Sequence, residues 1–166
     1  KNGTKPWRNT GYKFPVTIVT GDLQYKGFNN NLIVRGNAVY GNLGASGALT
    51  TINNSSSAAS GYPNTTVAQN AVSYGGEAGY NIGSFFHSKA PRIYPFIRYE
   101  YYNPMEKTEA NTGLLADKRF QVSAVTAGLN YYALPNLVIK ADYTHRSIGG
   151  GKYNDENLVS VGIAYI

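Results

Sequence analysis

The chain has no cysteine, which excludes a disulfide framework, a thiol nucleophile and a cysteine-bound metal. Charge is scarce as well: Asp, Glu, Lys and Arg supply 14% of 166 residues, against about a quarter in ordinary soluble domains. No apolar run approaches the roughly eighteen residues of a membrane-spanning helix. Lys1 to Lys13 lacks the apolar stretch of a secretory signal, so the chain is expected to be either cytoplasmic or a mature protein without its beginning. Helical periodicity is nearly absent. The net charge of +6 would suit a nucleic-acid partner, but Lys1, Lys5, Arg8 and Lys13 supply four of the positives. That is a basic end and not a basic face, so no nucleic acid is expected.

Glycine (19) and tyrosine (15) are what the chain has in abundance, and its aromatic content argues against disorder. Period-two alternation predicts seven strands: Val19–Gly27, Leu32–Asn42, Val72–Gly83, Ile93–Tyr102, Val125–Tyr131, Leu137–Arg146 and Leu158–Ile166. In the first, Val19, Leu23 and Tyr25 oppose Thr20, Asp22, Gln24 and Lys26. In the sixth, Leu137, Ile139, Ala141 and Tyr143 oppose Lys140, Asp142, Thr144 and Arg146. The fifth is less regular, because Gln121 and Ser123 fall on the apolar side. Either a bulge near Ser123 or a strand end above the apolar layer accounts for that.

The connections alternate in length. Asn29–Asn31, Phe85–Arg92 and Tyr132–Asn136 are short, whereas 43–71, 103–124 and 147–157 are longer and polar. The first long one carries Asn53–Thr66, rich in Ser, Gly, Asn and Thr, and is expected to be a mobile loop. Short turns at one end of a meander and long loops at the other are the pattern of a bacterial outer-membrane barrel. The fold expected is therefore all-β, an antiparallel transmembrane β-barrel in one domain over 1–166, with 1–13 and the three long connections outside.

A bilayer inverts the usual burial pattern, with apolar residues facing lipid and polar residues facing a wet lumen. Arg35, Glu77, Arg98, Glu100, Lys140, Asp142 and Arg146 have the parity of their strands' polar face and are the candidate pore-lining residues. With Lys26 and Asp22 added, the lumen charges are five basic and four acidic. Tyrosines reinforce the pattern. Tyr40, Tyr74, Tyr99, Tyr101 and Tyr143 fall toward the outer strand ends, and Tyr25, Tyr80, Tyr131 and Tyr165 toward the inner ones, as two interfacial belts would. Seven strands is an odd number, whereas single-chain bacterial barrels usually have an even one. The expectation is seven C-terminal strands of a larger barrel whose earlier strands lie upstream.

The phrases DLQYKG (Asp22–Gly27), NLIVRG (Asn31–Gly36), FIRYE (Phe96–Glu100), GLNYYALPNLVIKADY (Gly128–Tyr143) and VGIAYI (Val161–Ile166) resemble the last strands of Gram-negative porins. The chain is most similar, from about Val16 onward, to the phosphate-selective porins O and P. The resemblance implies a larger barrel, a homotrimer or larger outer-membrane complex, that passes small hydrophilic or anionic solutes. Membrane lipid and lipopolysaccharide would surround it. Such barrels commonly end in an aromatic on the lipid-facing register; here that register falls on Tyr165, so a few residues beyond Ile166 are expected.

Sites of other chemistry are hard to assemble. His87 lies in a short turn and His145 on the apolar parity, neither with a second ligand at metal spacing. Gly149–Gly151 precedes no helix that would offer an N-terminus to phosphate, and reads as loop flexibility. Glu77 and Glu100 on adjacent strands suggest an acid pair, but a charge ladder with Arg98 is the better reading. No Ser–His–carboxylate grouping, metal site or cofactor site emerges, so no enzyme is expected. The functional expectation is an outer-membrane channel for passive diffusion. Its alternatives are a non-conducting structural barrel subunit of an outer-membrane assembly, an enzyme barrel and a soluble ligand-binding barrel.

Overall fold

The computed structural model describes residues 11, 13–57, 66–86, 91–110, 113 and 115–165. Expectations resting on 1–10, on the middle of Asn53–Thr66, on His87 and on Ile166 lie outside the described residues. Within them the chain forms a single antiparallel sheet of seven strands in sequential order. The strands are β1 (Val16–Gly27), β2 (Leu32–Leu43), β3 (Asn70–Tyr80), β4 (Arg92–Lys107), β5 (Val122–Leu134), β6 (Leu137–Ile148) and β7 (Asp155–Tyr165). All seven expected strands are present. The sheet is not closed: among the described residues, β1 and β7 each have one neighbour.

Registers are regular apart from shifts at Asn70/Val72 and Tyr132/Leu134, so between those ends one parity of each strand stays on one face across the sheet. Gln24 pairs with Arg35, Arg35 with Glu77, Glu77 with Arg98, Arg98 with Thr126 and Thr126 with Thr144. On the other face, Tyr25 pairs with Val34, Val34 with Ala78, Ala78 with Ile97, Ile97 with Ala127 and Ala127 with Tyr143. The ladder runs unbroken through Ser123, which is opposite Tyr101 and Ser147, so there is no bulge there. The irregularity of β5 lies at its other end, between Tyr132 and Leu134, where the chain enters the Pro135–Asn136 turn.

Turn chemistry sets the short ends. Phe28, Asn29 and Asn30 all take positive φ (51°, 56° and 66°), and Asn31 N–H closes the turn on the Phe28 carbonyl. Asparagine tolerates this region better than most residues. Asn81 ties the next short connection to this one: its N–H donates to the Asn31 carbonyl at 2.8 Å and its side chain to Asn31 Oδ1 at 3.0 Å.

The long connections are more ordered than their composition suggests. Ser46–Ser57 is an α-helix, α1, where a polar loop was expected. Serine, threonine and asparagine are indifferent helix formers, so tertiary anchoring carries it. The Glu109 carboxylate accepts from the Gly47 N–H, which satisfies a donor of the first turn. Thr50 is buried, donating to the Ser46 carbonyl and accepting from the Val67 N–H. The glycine run also differs from expectation. Gly149 N–H donates to the Gln121 carbonyl at 2.8 Å, and a β-carbon on Gly149 would meet the Lys118 carbonyl oxygen at 2.8 Å. Close approach of two connections, and not flexibility, requires glycine there; only Gly151, at φ +107°, uses the left-handed region.

Candidate functional site: the charged face of the sheet

Burial along β5 and β6 is the reverse of a water-soluble sheet, whereas β1 and β7 are exposed on both faces almost throughout. Along β5 and β6 the apolar parity is exposed and the charged parity is partly covered. Ile97 is 58% exposed and Val161 75%, while the side chains of Glu77 and Asp142 retain only 18% and 11%. Covering on the charged side comes from neighbouring side chains of the same face. Apolar side chains are buried on the same face: Phe96, Val122 and Val138 share the parity of the ionic groups. Phe96 accepts two cations on its ring, Lys140 Nζ at 5.2 Å and the Arg98 guanidinium carbon at 5.8 Å from the centroid.

The charged groups form a ladder. Arg98 Nε donates to Glu77 Oε2 at 2.9 Å, and its Nη2 donates to the same oxygen. Arg35 approaches the other carboxylate oxygen at 3.7 Å, so one acid stands between two guanidiniums on the strands to either side. Lys140 pairs with Asp142 at 3.3 Å, and Arg146 Nη2 with Glu156. Glu77 is therefore engaged with Arg98 and not with Glu100, as the charge-ladder reading expects.

Arg35, Glu77, Arg98 and Glu100 come together with Asp22, Gln24 and Asn37 around an open cavity of about 510 Å³. A smaller depression of about 280 Å³ continues from Glu100 past Tyr102 and Thr144 to Arg146. Lys140 and Asp142 lie on the same face but line neither hollow. Sequence reasoning placed Asp22 on this face without counting it as a site residue, and its parity was the available signal. Glu156 was missed altogether, because Asp155–Asn157 reads as loop when it begins β7.

Most strand tyrosines lie on the opposite face, whereas Tyr94, Tyr102 and Tyr132 share the charged face with Phe96. Tyr74 stacks on Tyr101 at 4.9 Å and lies 6.3 Å from Tyr99; toward the short turns, Tyr80 stacks on Phe85 at 5.3 Å. His145 is on this face, its Nδ1 3.0 Å from Asn157 Oδ1, which also accepts from the Tyr143 hydroxyl. Among the described residues no three His, Asp or Glu side chains are grouped as metal ligands, and no helix is long and apolar enough to cross a membrane. Beyond the strands, at the long-connection end, Arg119 donates to Asp117 through its backbone N–H and its guanidinium. The guanidinium hydrogen bond, then the backbone one, hold the Asp117 carboxyl below the usual aspartate range.

No family model, curated protein or solved structure matches the chain. The functional reading therefore rests on the two faces of the sheet.

Proposed function

We propose that this chain forms part of the wall of an outer-membrane β-barrel channel for passive diffusion of small hydrophilic solutes, with the ionic face turned to a water-filled lumen. The observation that carries the reading is the inverted exposure: aliphatic side chains stand outward while the ionic ones share the partly covered face. A large exposed apolar surface is costly in water, whereas in lipid it is the ordinary condition. Strands of 11 to 16 residues meet the roughly 9–11 residues that a tilted membrane strand requires.

Strand direction bears on closure. In a meander β1 and β7 run the same way, so joining them directly would make a parallel pair. An odd number of further strands between them restores antiparallel pairing throughout and removes both open edges. Under this reading Arg35, Glu77, Arg98, Glu100, Lys140, Asp142 and Arg146 line the pore.

Purified protein reconstituted in planar bilayers is expected to give ohmic conductance. Bilayers that stay sealed where a control porin conducts would overturn the channel and favour the structural barrel. Protein that stays monodisperse without detergent would overturn the membrane placement as well.

A further inference from the structure

Resting on the channel reading, we infer that the cavity between β1 and β4 favours small monovalent cations over anions, and that Asp22 and Glu100 set this preference. Two guanidiniums and three carboxylates line the cavity, Arg35 and Arg98 against Asp22, Glu77 and Glu100, which leaves one net negative charge. How these groups pair matters as much as their sum. Glu77 serves both arginines, with Arg98 hydrogen-bonded through two nitrogens, so an incoming anion must compete with a carboxylate already in place. Neither Asp22 nor Glu100 makes a hydrogen bond or ion pair with a described residue.

The ladder explains why these two acids stay open. Asp22 faces an uncharged neighbour, Asn37. Glu100 is flanked across the ladder by Gly75 and Ala124, neither charged; Arg98, two residues away on its own strand, attracts it but is hydrogen-bonded to Glu77. Gly75 has little room to be anything larger: a β-carbon there would lie 3.0 Å from the Tyr99 carbonyl oxygen and 3.2 Å from Asn37 Oδ1. Arg146 borders the smaller hollow beside Glu100, but its guanidinium is paired with Glu156. The cavity thus holds two unpaired carboxylates against one half-exposed guanidinium, Arg35, whose contact with Glu77 is long, while Arg98 and Arg146 are already matched.

One net charge about 7 Å from an ion's path in water corresponds to roughly a three-fold preference for K⁺ over Cl⁻ at 0.1 M salt, rising as the salt is diluted. The test is the reversal potential of the full chain in planar bilayers under a KCl gradient. Wild type is expected to reverse on the K⁺ side. The double variant Asp22→Asn, Glu100→Gln is expected to move its reversal potential toward Cl⁻. Should the double variant fail to insert, Glu100→Gln alone carries the test, with about half the shift. A wild type that prefers Cl⁻, or variants whose reversal potential does not move, would overturn the inference while leaving the channel intact. A wild type that never conducts would overturn the channel reading and this inference with it.

Discussion

Gly128 lies directly across the ladder from Phe96, and a β-carbon there would come within 2.6 Å of the Phe96 ring and 2.7 Å of Asp142 Cβ. The absence of a side chain at 128 is what lets the ring lie flat under Lys140 and Arg98. Gly128→Ala is expected to destabilise the sheet by about 1–3 kcal/mol, the usual range for overpacking. Gly162→Ala, on the same face with no atom within 4 Å of the added carbon, should change stability by less than about 0.5 kcal/mol. Urea titration of the two variants, followed by tryptophan and tyrosine fluorescence, separates them.

Glu77→Gln removes the one carboxylate that Arg35 and Arg98 share. Loss of charge-assisted hydrogen bonds at a mostly covered acid is expected to cost about 1–2 kcal/mol, because both guanidiniums retain access to water. The cavity also loses its net negative charge, so the reversal potential in a KCl gradient should move toward Cl⁻. A variant that is destabilised with an unchanged reversal potential would show that the pair is structural and remote from the ion path.

Ile97→Arg tests the outward face. Arginine facing lipid near the midplane costs about 2–4 kcal/mol, whereas at an exposed site in water it would cost less than about 0.5 kcal/mol. Folding into lipid vesicles should therefore be weakened by the larger amount, with Ser160→Arg on the ionic face as the tolerated control. Equal tolerance of both would argue against lipid contact at Ile97.

The Asp117–Arg119 pair predicts a local pH dependence. A carboxyl held below its ordinary range contributes stability that is present above the unfolded value and is lost as pH falls through the folded one. Ordering of the Lys118–Phe120 turn should thus persist at neutral pH and weaken only in strong acid. Carboxyl titration by NMR is expected to show a low midpoint for Asp117 that rises in Arg119→Ala. An unchanged midpoint would mean the guanidinium contact is not populated in solution.

The strand count was legible because alternation in this chain is one-sided: Leu137, Ile139, Ala141 and Tyr143 against Lys140, Asp142 and Thr144 leaves little ambiguity. Strand ends were less so. β4 continues through Pro104 to Lys107 because, past Tyr102, it pairs only with β3, and Pro104 falls in the register shift between Asn103 and Lys107, where its missing N–H costs no ladder bond. Helix α1 was invisible to periodicity, since its order comes from Glu109 and Val67, both distant in sequence. The ion-pair ladder was foreseen through Arg98 and Glu77, but Phe96 beneath it was not: parity alone cannot say that an aromatic on a polar face will serve as the floor for two cations.

The hydrogen bond from Gly149 to Gln121 ties the β4–β5 and β6–β7 connections together at one end of the sheet. Any reagent that grips one of them, an antibody for instance, would load the other through that bond. Two residues on, Gly151 stands in open space. An epitope tag spliced after Gly151 would project freely, whereas the same tag at Gly149 would pry the two connections apart.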